Sequence, residues 1–144
     1  MMARLAIAGL RDCVRSLLGR TPYYVPLAAP PGEVAAMSTP DAYAGIKAIM
    51  PDHCRNEVAA RLFFSLPLYR PLRHAKAVHC PALIIACAED SVASPQAATA
   101  AAARMGGPVR HIELPIGHFD IYLGEWFEAS SAAQVEFFTE ALLG

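Results

Sequence analysis

The stretch "CPALIIACAED" (residues 80–90) decides the fold. Cys80 and Pro81 lead into an apolar run from Ala82 to Ala88 that no charge interrupts, and the run stops at Glu89 and Asp90. It has the length of a strand. Being apolar at every position rather than at alternate ones, it fits a strand buried on both faces, as in a parallel sheet.

The residues that follow supply the rest of a parallel unit. "SPQAATAAAARMGG" (94–107) has Ser94 in the N-cap position, Pro95 at the first helical position, an alanine-rich body, and Gly106 and Gly107 as a stop. "VRHIELP" (109–115) reads as a second strand. "SSAAQVEFFTEALLG" (130–144) opens with a capping-box pattern, Ser131 to Gln134, and places Val135, Phe138 and Leu142 on one helical face. Strand, helix, strand is a βαβ unit, so the two strands are expected to be parallel with a right-handed crossover.

In open parallel sheets, sites lie beyond the carboxyl ends of the strands. Asp90 follows the first strand. The second runs into "ELPIGHFDIY" (113–122), which sets His118 just past its end, behind Gly117. Adjacent parallel strands would bring this carboxylate and imidazole to one rim. An aspartate that accepts the Nδ1–H fixes the tautomer and stabilises the cation formed when the ring takes a proton, which is two-thirds of a nucleophilic triad. Taken singly, an aspartate after a strand more often caps a turn, and a histidine in a turn more often lies on the surface. Their matched positions weigh against both plain readings.

Upstream, the chain is proline-punctuated. "STPDAYAGIKAIMP" (38–51) reads as a short helix capped by Ser38 or Thr39, with Pro40 at its start and Pro51 as its stop. "NEVAARLFFSLPLYRP" (56–71) reads as another, with Val58, Leu62 and Phe63 on one stripe, ending near Pro67. Tyr23, Tyr24, Phe63, Phe64 and Tyr69 enrich this part in aromatics. They are read as packing of helices onto the sheet, with the lining of an apolar substrate pocket as the sharper alternative. The chain thus divides into a helical region, 1–75, and a βαβα region, 76–144.

Of the 144 residues, 55% are hydrophobic and 17% charged, and the net charge is −1. That balance calls for a large core or for a surface that something else covers. It gives no basic cluster for nucleic acid. No run approaches the roughly 18–20 apolar residues of a membrane span. The opening "MMARLAIAGLRDC" is broken by Arg11 and Asp12 before it reaches the length of a signal-peptide core, so a cytoplasmic protein is expected. Cys13, Cys54, Cys80 and Cys87 show no C-x-x-C spacing and are read as reduced core thiols. His74, His79, Cys80, His111 and His118 match no tetrahedral metal spacing, and "MGGP" follows a helix rather than preceding one, so neither a metal nor a phosphate-binding cofactor is expected.

"CPALIIACAEDSVASP" followed by "ELPIGHFDIYLGEWFE" resembles the carboxyl-terminal third of α/β-hydrolase fold enzymes, most closely the bacterial serine hydrolases related to esterases and serine aminopeptidases. The resemblance implies the triad acid at Asp90 and the triad base at His118. It also implies that "GRTPYYVPLAAPPGEVAAM" through "NEVAARLFFSLPLYRPLRHA" is the helical cap inserted before the last two strands. The family's G-x-S-x-G nucleophile elbow has no counterpart: none of Ser16, Ser38, Ser65, Ser91, Ser94, Ser130 and Ser131 is flanked by glycines on both sides. The resemblance therefore implies an α/β protein that is the carboxyl-terminal part of a hydrolase sheet, two parallel strands with flanking helices behind a cap region. Such a truncated chain carries acid and base for ester or amide hydrolysis of a small-molecule substrate, without a nucleophile or oxyanion hole, and is inactive alone. The alternative is a non-catalytic oligomerisation or interaction module derived from a hydrolase. On either reading, two strands make too little sheet to stand alone, so a missing amino-terminal half or self-association is expected.

Overall fold

The structure, a computed structural model, describes residues 2–143. Met1 and Gly144, the outer ends of the two expected regions, lie outside the described residues. Contacts divide the chain into two compact units, Met1–Arg70 and Pro71–Gly144.

The second unit carries the parallel sheet. Strand β3 (Ala82–Cys87) pairs in parallel with β4 (Val109–Leu114), in a register that sets Ala82 opposite Val109 and Cys87 opposite Leu114. Helix α4 (Pro95–Ala102) makes the crossover, with Ser94 in extended conformation as its N-cap and Pro95 at its first position. Ser94 does not close the cap. Its hydroxyl donates to Gln96 Oε1 at 2.7 Å. The α-helix ends at Ala102, so Gly106 and Gly107 are not its immediate stop. They serve close approach: a Cβ on Gly106 would meet the Lys76 carbonyl and the His79 ring, and one on Gly107 the His79 carbonyl.

Helix α5 (Gly124–Leu143) begins earlier than the expected start at Ser130. Gly124 sits at φ +53°, a conformation side chains disfavour, and this lets the chain turn directly into the helix. The capping-box residues consequently lie inside the helix. Ser130 is buried and donates to the Phe127 carbonyl at 3.1 Å, while Gln134 Nε2 donates to the Ser130 carbonyl at 3.1 Å.

The first unit differs more from its helical expectation. Helix α1 (Met2–Leu17) is long, and α2 (Ala42–Ile49) starts behind Asp41 rather than at Ser38 or Thr39. Asn56–Pro71 is not one helix. Val58 and Ala59 form β2, which pairs antiparallel with β1 (Tyr24–Val25), and the helical pieces are α3 (Leu62–Ser65), a short 3₁₀ turn at Leu66–Leu68 and the start of another at Pro71–Arg73. Leu5, Ala8, Val25 and Ala60 form the core here, with Tyr23, Val34, Val58 and Phe63 packed against it.

Asp12 anchors this unit. Wholly buried, it accepts the Tyr23 N–H at 2.7 Å on one oxygen, and the Arg61 N–H and Nε–H, both at 2.9 Å, on the other. Burial by itself would raise the Asp12 carboxyl. The N–H groups of Arg61 and Tyr23 and the guanidinium outweigh it and hold the carboxyl below its ordinary range. All four cysteines are free, but Cys54 and Cys80 are exposed and only Cys13 and Cys87 are partly covered, so the core-thiol expectation fails for two of them.

Candidate active site

The two strands do not simply stop at their carboxyl ends. Beyond the ladder, Ala88 N–H donates to the Leu114 carbonyl at 2.8 Å and Glu89 N–H to the Ile116 carbonyl at 3.0 Å. These bonds clamp the two following loops side by side, one carrying Asp90 and the other His118.

Asp90 uses its oxygens differently. Oδ1 accepts the N–H groups of Val92 and Ala93 at 2.8 and 2.7 Å, which fixes the carboxylate as the head of its own turn. Oδ2 lies 2.7 Å from His118 Nδ1. One carboxylate thus heads its own turn and also reaches the imidazole. Burial pushes the Asp90 carboxyl up, but the Ala93 N–H, the His118 ring and the Val92 N–H together hold it below its ordinary range. An ionised carboxylate can only accept, so a hydrogen resides on Nδ1, and in the neutral ring this tautomer leaves the lone pair on Nε2.

The histidine loop answers why a glycine precedes the ring. Gly117 N–H donates to Asp120 Oδ2 at 2.8 Å, closing a tight turn around His118. The imidazole meets the buried Phe119 ring edge-on, with centroids 4.8 Å apart. His118 retains 28% side-chain exposure against 11% for Asp90. Nε2 has no hydrogen-bond partner among the described residues. Asp120 closes this turn and Phe119 packs against the ring, contacts to which the sequence reading gave no role; the G-H-F-D spacing was the available signal.

A cavity of about 240 Å³ opens beside the pair, lined among others by Cys87, Asp90, Ser94, Pro95, His118 and Tyr122. Burial, then the charges of Asp90 and Asp120, push the Cys87 thiol up, which disfavours a thiolate there. The hydroxyls of Ser16, Ser65, Ser94 and Ser130 are engaged elsewhere in their own units, none with His118. Among the described residues no group of three or more histidine, cysteine or acidic side chains is placed to hold a metal, and no helix is long and apolar enough to cross a membrane.

Comparison with known proteins bears on the fold that carries these residues. The chain matches DcsB, solved in complex with its substrate analogue, at TM-score 0.77 and 21% identity, over 99% of this chain and 52% of that one. It matches the α/β hydrolase GrgF from Penicillium sp. sh18 at TM-score 0.70 and 17% identity, over 99% of this chain and 50% of that one. The chain carries the carboxyl-terminal half of an α/β-hydrolase fold.

Among curated relatives of this hydrolase half, the quorum-quenching protein AidA of Acinetobacter baumannii is 39% identical over 131 residues, 89% of this chain and 42% of that protein. An uncharacterised 31.7 kDa protein from the traX-finO intergenic region of Escherichia coli is 36% identical over 76 residues, 51% of this chain and 27% of that one. The chain thus spans less than half the length of the curated relatives it matches. No protein-family model matches it.

Proposed function

We propose that this chain supplies the acid and base of a serine-type hydrolase acting on an ester or amide bond of a small molecule, with the nucleophile in a segment outside these 144 residues. The observation that carries the reading is the 2.7 Å bond between Asp90 Oδ2 and His118 Nδ1, with Nε2 unpartnered among the described residues at the carboxyl rim of two parallel strands. Nε2 takes the proton of a serine hydroxyl as its oxygen attacks the carbonyl carbon. Asp90 stabilises the imidazolium, and the same proton then passes to the leaving alcohol or amine. The quorum-quenching role named for the A. baumannii relative supports a small signal molecule with a hydrolysable bond as the substrate class.

The test is a chimera in which this chain replaces the matched segment of that relative, assayed on short-chain p-nitrophenyl esters. Hydrolysis should fall by at least about 10³ in His118→Ala. A chimera that hydrolyses esters equally well without His118 would sink the reading. The 144-residue chain alone should label no serine with an active-serine phosphonate probe.

A further inference from the structure

The charges of the second unit are unevenly placed. Between Pro71 and Gly144 the sequence holds four lysines and arginines against eight acidic residues. Arg110 pairs with Glu136 at 2.7 Å and Glu140 at 3.7 Å, both on α5. The other three cations, Arg73, Lys76 and Arg104, line one groove of about 500 Å³ together with Leu72, Met105 and Gly106. None of the eight acids lines it. None of the three cations makes an ion pair or a hydrogen bond among the described residues. Surfaces ordinarily intersperse the two signs of charge. Three unpaired cations around one concavity of an acidic unit are the opposite arrangement.

Helix α4 accounts for one of them, since Arg104 follows its carbonyl end, where a cation is favoured. Arg73 and Lys76 stand on 3₁₀ turns of three residues each, Pro71–Arg73 and Ala75–Ala77, too short to sum a comparable dipole. The segments that carry these cations are fastened together. Gly106 N–H donates to the Val78 carbonyl at 3.1 Å, and a Cβ on Gly106 would meet the Lys76 carbonyl, so the glycine lets the chain after α4 lie against the turn that holds Lys76. Both segments precede their strands, whereas Asp90 and His118 follow them, so the groove lies at the opposite end of β3 and β4 from that pair. Leu72 and Met105, both half-buried, add apolar surface to it.

We propose that this groove binds a small amphiphilic anion, a carboxylate or phosphate head on a short apolar tail. Each guanidinium offers paired N–H donors to two oxygens of one such head, and the Lys76 ammonium adds a point charge. Leu72 and Met105 take the tail, the methionine with a side chain that adapts to irregular shapes. The volume is that of a small-molecule site. A neutral ester lacks the head, whereas the acid released by its hydrolysis has both head and tail, so a product of the proposed reaction belongs to this class. The inference concerns binding and holds whether or not Asp90 and His118 are catalytic.

The test uses the full 144-residue chain labelled at its methionine methyl groups, with the Met105 resonance assigned through Met105→Leu. Octanoate and octyl phosphate should each shift that methyl saturably, and their affinity should fall as sodium chloride rises from about 0.02 to about 0.3 M. 1-Octanol, a tail without a head, and inorganic phosphate, a head without a tail, should bind at least about tenfold more weakly. Arg73→Glu combined with Arg104→Glu should weaken both amphiphiles at least about tenfold. Both positions are exposed, so circular dichroism should be unchanged. Should the double variant unfold, Arg73→Gln and Arg104→Gln, tested singly, carry the same comparison. Arg110→Gln, which removes the cation on β4, should bind normally. Response to either amphiphile supports the site, and the stronger one names the head. A Met105 methyl that neither amphiphile moves would overturn the proposal. So would an equal response to 1-octanol or to inorganic phosphate, or an affinity indifferent to the loss of Arg73 and Arg104. His118→Ala should bind both amphiphiles unchanged, which keeps this result apart from any failure of the catalytic reading.

Discussion

Two aspartates, Asp12 and Asp90, hold the chemistry of single residues in this chain, and only one of them was legible in sequence. Asp90 announces itself by following an apolar strand. Asp12 offers no local signal, because its partner Arg61 lies 49 residues away and its role appears only once α1 meets the start of α3. Asp12→Ala would strand the Tyr23 and Arg61 N–H groups without an acceptor, and should cost about 2–4 kcal/mol in urea unfolding. Both carboxyls are held below their ordinary value of 3.8 in the folded chain. A depressed folded-state value means that the stabilisation is fully present above that ordinary value and is lost as pH falls through the lower folded one. Urea midpoints should therefore be insensitive to these two groups between about pH 5 and 8 and should drop below about pH 3.8. Asp12→Asn should flatten that acid limb. At the rim, Asp90→Asn presents an amide that can donate to Nδ1 and reverse the tautomer. In the chimera it should lower kcat by about 10²–10⁴ with little change in KM, and the ¹⁵N shifts of the His118 ring should report the switch.

At the scale of elements, β3 and β4 were legible because an apolar run between Pro81 and Asp90, and a short mixed segment between Pro108 and Pro115, are clearly punctuated. The start of α5 was not, since a glycine at positive φ rather than a serine cap opens it, and Ser131 with Gln134 imitated a capping box one helical turn and more inside. Val58 was misassigned for a different reason. Two-residue strands carry no periodicity, and the partner of β2 is set by the long-range match of Tyr24 with Ala59. Gly106 and Gly107 looked like a helix stop but are required by approach of the segment before β3. Gly107→Ala would press a methyl against the His79 carbonyl, a backbone atom that cannot rotate away, and should destabilise the second unit by about 1–3 kcal/mol. Ala103→Gly, placed at the exposed end of α4, should cost less than half of that, measured by the same urea titration.

Each unit of the molecule is apolar on faces it does not itself cover. Helix α1 buries Leu5, Ala8 and Asp12 on one side, yet Ile7, Leu10, Val14 and Leu17 recur at helical spacing and stay exposed, Leu17 by 88%. On α5, Val135, Phe138 and Leu142 do the same. A surface helix ordinarily carries one apolar stripe; α1 carries a second, and contiguous patches of this kind in a lone chain mark surfaces meant for contact. The purified chain should therefore bind a hydrophobic dye while keeping its circular dichroism, and light scattering at micromolar concentration should give a mass above 15.4 kDa. Leu10→Lys combined with Leu17→Glu alters only exposed positions of α1, so it should lower dye binding without unfolding the first unit. Phe138→Asp should do the same on α5. A monodisperse species of monomer mass that binds no dye would refute the argument, because exposed stripes at both helices would then be compatible with a chain that is satisfied on its own.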